Sequence, residues 1–416
     1  MMGPASSSTS TRRLFLAQTA GLAGIALGGR RTQAKTSDLI ASITHEAAIP
    51  GRPGTPAWFH PRACLISSGQ GNEVLATLQT IHGSDVFGPV HWMTSHDMGR
   101  TWAAPAPIPG LGRSPAADGL EAGVCDVVPE FHPATRSVLA IGHDVFYRNN
   151  VLARPQPRRK PVYVVRSADG AWTAPRRLEW DDPRASAIHS CGCSQRIMTA
   201  GGDVLIPLTF GATDREDRSI TSVLCSFDGR SLQIRRVGGV LEHRVKRGLL
   251  EPSLTVLDGR YYMTIRAEDD RGYVSTSPDG LAWEPMRPWC WDDGEPLAMS
   301  STQQHWLTHS DGLYLVYTRK TDENARVVRW RSPLFLARVD RSSLRLIRST
   351  ERIVLPVVGD ARTDPARVPL MGNFHVVNAS PEESWVTVGE NRPKEAWWGE
   401  FLLARILWSR PNRLVG

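Results

Sequence analysis

Ser95-His96-Asp97-Met98-Gly99-Arg100-Thr101-Trp102 reads Ser-x-Asp-x-Gly-x-Thr-Trp, and shortened copies of it recur along the chain. They are Ser167-Ala168-Asp169-Gly170-Ala171-Trp172, Ser226-Phe227-Asp228-Gly229, and Ser277-Pro278-Asp279-Gly280 with Trp283. Val339-Asp340 ahead of Leu344 is a weaker echo. The aspartates lie 72, 59, 51 and 61 residues apart. Each copy follows a short segment rich in Val, Ile, Leu, Tyr or Trp, and other such segments include 74–81, 137–142, 204–209 and 313–319. Gly, Asp, Pro and Asn separate these segments, and long amphipathic helical windows are hard to find. Each copy therefore reads as a β-hairpin turn, in which Asp accepts backbone N–H groups, Gly takes a positive φ and Trp packs over the turn. An all-β chain with a period of 50–70 residues predicts a propeller of four-stranded blades. Dividing the 382 residues beyond position 34 by about 60 gives six blades.

The 416 residues are 41% hydrophobic and 22% charged, too apolar for a disordered chain and ample for a large core. Thr11-Arg12-Arg13-Leu14-Phe15-Leu16, the apolar Ala/Gly-rich stretch to Gly29 and the small residues up to Ala34 form a twin-arginine export pattern. We expect residues 1–34 to be a signal peptide, residues 35–416 a single β-propeller domain, and the destination a bacterial periplasm or the cell exterior. The formal charge of +7 owes four units to Arg12, Arg13, Arg30 and Arg31, in a leader without Asp or Glu. The remaining +3 is scattered, which removes nucleic acid as a partner. Beyond the leader no apolar run approaches the ~20 residues that cross a bilayer, so no membrane association is expected after signal removal. Six cysteines, Cys64, Cys125, Cys191, Cys193, Cys225 and Cys290, are too sparse for a disulfide scaffold. Cys191-Gly192-Cys193 has no second pair at zinc-ribbon spacing. Buried thiols, no metal, no other cofactor and a monomeric chain are the expectations.

The turn repeats resemble the Asp boxes of the sialidase superfamily, which implies a six-bladed β-propeller of the sialidase type. Asp boxes are structural turns that also occur in non-enzymatic propellers, so they speak for the fold and not for catalysis. Sialidases hold the carboxylate of an acidic sugar with three arginines, whose planar forks match a carboxylate bidentately. By this resemblance the substrate-binding arginines are Arg62 in His60-Pro61-Arg62-Ala63-Cys64, Arg266, and Arg331. Arg329 would share a strand face with Arg331, but the strand expected from Leu334 follows Arg331 at the family's spacing. The segment Glu251-Pro252-Ser253-Leu254-Thr255-Val256-Leu257-Asp258-Gly259-Arg260, continuing to Arg266, resembles the family's glutamate, Leu-x-Asp-Gly turn and strand ending in arginine. Glu251 inherits the role of partner to the nucleophile. Asp85, twelve residues before Asp97, inherits that of acid/base. The family's nucleophilic tyrosine is missing: Phe374 and His375 stand in its place, and no tyrosine follows Tyr317. His375 is the replacement candidate, and His143, Asp126 and His305 are further candidates for the same axis.

The resemblance implies an exported, sialidase-like glycoside hydrolase that removes a terminal acidic sugar from a glycan through an oxocarbenium-like transition state. The missing tyrosine keeps a second reading open, a polysaccharide lyase that cleaves a uronate-containing glycan by β-elimination with His375 or His143 as base. A third reading is a glycan-binding propeller without turnover. In each, the partner is a glycan or polysaccharide bearing an acidic sugar.

Overall fold

Val, Ile, Tyr, Phe and Trp suit a pleated surface buried on both sides, and the apolar segments become the strands of six antiparallel sheets. The computed structural model describes residues 38–415 except 69–70, 300–301 and 396; the expected signal peptide lies outside the described residues. Blade one comprises Ala57–Ser68, Gly71–Gly83, Val86–Ser95 and Ala106–Pro107. Blade two is built on Glu121–His132, Ser137–Arg148, Pro161–Arg166 and Arg176–Arg177. Blade three uses Ile188–Ser190, Val204–Gly211, Ser219–Phe227 and Leu232–Val237. Blade four uses Leu250–Leu257, Arg260–Arg266, Gly272–Ser277 and Arg287–Pro288. Blade five uses His305–His309, Gly312–Tyr317, Leu334–Asp340 and Arg345–Leu346. Blade six combines Phe374–Ser380, Glu383–Gly389 and Phe401–Trp408 with the N-terminal strand Ile40–Ile49, which pairs antiparallel with Phe401–Trp408. The chain is a six-bladed β-propeller whose ring is closed by strands from opposite ends of the sequence.

The cores lie between blades. Leu307, Val316 and Leu336 of blade five meet Val386, Leu402 and Ala404 of blade six. Trp289 and Trp306, both fully buried, sit edge to face between blades four and five with centroids 5.9 Å apart. The six cysteines are unpaired and five of them are buried. No helix among the described residues is long and apolar enough to cross a membrane.

The repeated turns join the third strand of a blade to the fourth. Asp97 accepts from the backbone N–H groups of Arg100 (3.0 Å) and Thr101 (2.9 Å) and from Thr101 Oγ1 (2.6 Å), while Gly99 sits at φ 72°. Asp279 accepts from the Leu281 and Ala282 N–H groups, Asp228 from those of Arg230 and Ser231, and Asp340 from that of Ser342. The tryptophans of three turns also reach the preceding blade: Trp102 packs on Trp385 and Phe401, Trp172 on Trp92, and Trp283 donates from Nε1 to Ser222 Oγ at 2.8 Å. Each of these three turns is thus a clasp between neighbouring blades. Trp102→Ala should lower unfolding stability by about 3 kcal/mol, the low end for deleting an indole that is only partly buried, with little change in activity of the folded fraction. Chemical denaturation followed in parallel with turnover checks this.

Candidate active site

The innermost strands of blades one, two and four each lose register once, between Phe59 and Arg62, Cys125 and Val128, and Leu250 and Ser253. At each bulge one residue takes a left-handed conformation: His60 at φ 51°, Asp126 at 58° and Glu251 at 47°. Such a conformation costs of order 1–3 kcal/mol for a non-glycine residue, and a bulge re-aims the side chain it carries. All three side chains reach one cavity of about 750 Å³. Among its described lining residues are seven arginines against three carboxylates, with two histidines and no tyrosine.

Two ion pairs organise this wall. Arg266, buried at the end of its strand, donates from Nη1 to Glu251 Oε1 at 2.6 Å. Arg62, only 1% exposed, donates from Nη2 to Asp126 Oδ1 at 2.6 Å, and His60 Nε2 lies 3.3 Å from the same oxygen. Burial alone would raise both carboxyls, but the Arg266 guanidinium outweighs it at Glu251, and His60, Arg62 and His143 together outweigh it at Asp126. Glu251 is left below the ordinary carboxylate range and Asp126 at about 2. Burial pulls His60 and His143 down to about 4, so both imidazoles are neutral near pH 7. Arg331 donates from Nε to the neutral Thr302 Oγ1 at 2.9 Å, and burial beside Arg329 and Arg266 lowers it to about 9. The wall holds two ionised carboxylates and a surplus of positive charge.

No family profile matches the chain, and no curated protein matches it in sequence. Solved structures do. The sialidase of Trypanosoma rangeli, in complex with the inhibitor DANA, superposes with a TM-score of 0.60 at 14% identity, over 88% of this chain and 60% of that one. The NanB sialidase of Streptococcus pneumoniae gives 0.57 at 9% identity, over 89% and 71%. A Dyadobacter fermentans protein of unknown function gives 0.59 at 14%, over 89% of this chain and all of that one. This is a sialidase-type β-propeller. The chain spans about three fifths of the Trypanosoma rangeli sialidase, and identities of this size establish the fold alone.

In this sialidase-type propeller the residues singled out from sequence separate into two groups. Asp85, Asp126, His143, Glu251, Arg266 and Arg331 line the cavity. Asp85 stands exposed on the turn between Gly71–Gly83 and Val86–Ser95, at φ 58°. Arg62 lies behind the wall and reaches it through Asp126. His375 and His305 are buried among the inner strands, their rings 5.4 Å apart, and neither lines the cavity. His305 Nδ1 is hydrogen-bonded to Ser253 Oγ at 2.9 Å, and among the described residues neither ring nitrogen of His375 has a partner. The strand expected at Arg329 and Arg331 is also corrected: Val328–Trp330 is a 3₁₀ turn with Arg329 at φ 50°. Buried Asn324 causes this by donating to the carbonyls of Arg319 and Ser332, which closes the segment into a loop.

Sequence reasoning missed His60, Arg159, Arg218 and Arg247. One signal for the bulges was present, since His60-Pro61 and Glu251-Pro252 put prolines inside inner strands, where proline marks a bulge. Cys125, Asp126 and His143 could meet a soft metal ion, their ligand atoms lying within 4.8 Å of one another. However, burial keeps the Cys125 thiol far above its usual range and Arg62 already occupies Asp126, so the trio is poorly disposed to a cation.

The buried histidines give the propeller an acid limit. Burial lowers His60 and His143 to about 4, His305 to about 3 and His375 well below 6.5. The unfolded chain therefore takes up protons first, and stability is full above pH 6.5 and lost as pH falls toward 4. Melting temperature should decline over that window, and His375→Leu should flatten the decline. An unchanged slope in that variant would exclude His375 as a contributor.

Proposed function

We propose that this chain is a glycoside hydrolase that removes a terminal acidic sugar from a glycan. The observation carrying this reading is the cavity wall, where seven arginines surround ionised Glu251 and Asp126. Arg266 and Arg331 receive the sugar carboxylate, as a bidentate fork suits that anion. Asp85, at the mouth, gives its proton to the leaving glycosidic oxygen as the bond to the anomeric carbon breaks. Glu251 takes a proton from the water that attacks the same carbon, and Asp126 faces the oxocarbenium-like charge. No tyrosine nucleophile is needed in this scheme.

A second reading draws on the neutral His60 and His143. A neutral imidazole beside arginines could abstract the proton next to a uronate carboxylate, with the C–O bond breaking by β-elimination and Asp85 protonating the leaving oxygen. Incubation of the mature protein with sialosides and uronate polysaccharides separates the outcomes. Free sugar is expected; ultraviolet absorbance of an unsaturated product would establish the lyase, and neither would leave a binding propeller. Asp85→Asn and Glu251→Gln should each abolish hydrolysis with substrate binding retained. The expected export depends on Arg12 and Arg13: replacing both with lysine should leave the precursor in the cytoplasm, and normal secretion of that variant would exclude the twin-arginine route.

A further inference from the structure

Arg159 and Arg218 have no role in the reaction described above, yet both stand in the same cavity wall. Their backbones fix them as neighbours. Arg159 donates its N–H to the Ala187 carbonyl (3.1 Å) and accepts from His189 N–H (3.0 Å), which runs it beside Ile188. Ile188 pairs with Gly211, and the missing Cβ of Gly211 leaves room for Arg218, whose Cγ would lie 3.3 Å from it. Arg218 is held in turn by the Arg247 carbonyl (3.0 Å) and by Leu249 N–H (2.9 Å). The two guanidinium stems flank one strand pair, both half-buried. Arg247 is committed to Glu268 through Nε at 2.9 Å, but among the described residues no carboxylate pairs with Arg159 or Arg218. Burial, with Arg159 and Arg247 nearby, pulls Arg218 down to about 10. Unpaired like charges in a desolvated wall are unfavourable until an anion arrives.

We propose that Arg159 and Arg218 form a second anion subsite, so that the preferred glycan carries two anionic groups, the carboxylate held by Arg266 and Arg331 and a further oxyanion. This rests on the acidic-glycan reading and narrows it to dianionic substrates. The further oxyanion is a sulfate ester or a second carboxylate; both present the oxygen pair that a guanidinium fork recognises.

Calorimetric titration tests this with three ligands: a disaccharide carrying one uronate carboxylate, the same disaccharide O-sulfated, and a di-uronate disaccharide. Wild-type protein should bind one of the dianionic ligands at least about tenfold more tightly than the monoanion, and whichever gains more names the source of the second charge. In Arg159→Gln/Arg218→Gln that ratio should fall close to one. Arg266→Gln should weaken all three and keep the ratio. Thermal melting confirms folding, and Arg218→Gln alone serves if the double variant is unstable. A wild-type ratio near one, or a ratio that survives the double substitution, overturns the subsite. Monoanion turnover without any dianion preference would sink the subsite and leave the hydrolase reading standing. Tight dianion binding without turnover would do the reverse, and no binding by any ligand would sink both.

Discussion

Truncating Arg266 to alanine is expected to cut kcat/KM on an acidic sugar by two to three orders of magnitude, roughly 3–4 kcal/mol. Arg266 ends a strand whose partner residue across the hairpin is Leu250, so Glu251 is carried to the same end of the blade. The guanidinium therefore has two duties, meeting the substrate carboxylate and holding Glu251 ionised from 2.6 Å. Arg266→Lys should restore little, because a point charge lacks the fork. The two duties are separable by pH. Arg266 now holds the Glu251 carboxyl low against burial; without it burial prevails and that carboxyl rises. The acid limb of the pH–rate profile should move to higher pH in Arg266→Ala, in addition to the loss of rate. Equal losses on acidic and neutral substrates would exclude the carboxylate grip, and an unmoved acid limb would exclude control of Glu251.

Asp126→Ala should destabilise the fold by about 3–5 kcal/mol, the usual cost of leaving one partner of a buried ion pair uncompensated. Arg62 is 1% exposed, and its Nε and Nη1 have no hydrogen-bond partner among the described residues, so Asp126 carries the compensation. Removing both charges is a different perturbation: Arg62→Met with Asp126→Leu should recover most of the loss. Urea denaturation of the single and double variants gives the coupling directly. A single variant as stable as wild type would mean that water reaches Arg62 and screens it.

The turns and strands were legible because their chemistry is local. An Asp that bonds N–H groups two to four residues ahead, with Gly at positive φ, needs no tertiary information. The Glu251–Arg266 hairpin was legible for the same reason, with both ends and the Leu257-Asp258-Gly259 turn in one stretch. What failed was non-local. Val327-Val328-Arg329-Trp330-Arg331 reads as a strand until Asn324 reaches over it. His375 alternates correctly on its strand, but the inner strands turn it into the protein and not into the cavity. Arg159 and Arg218, isolated bridge residues outside the named strands, gain meaning only when the folded sheet brings both to one cavity wall.

The strand that closes the ring has a consequence in time. Ile40–Ile49 is among the first parts of the fold to leave the ribosome, yet its partner Phe401–Trp408 is among the last. While the blades between them are being made, that early strand has an open edge, and the gap between blades six and one stays unfilled. Closing a loop of some 360 residues carries an entropy cost that grows only logarithmically with its length, so the late step is affordable once the other blades provide a template. An interrupted chain, however, has no partial ring to fall back on. Loss of the last strand alone would expose Ile43 and Ala47 on one side and Trp385 on the other, making incomplete products sticky and easy prey for proteases. Completion of the ring is thereby its own quality control.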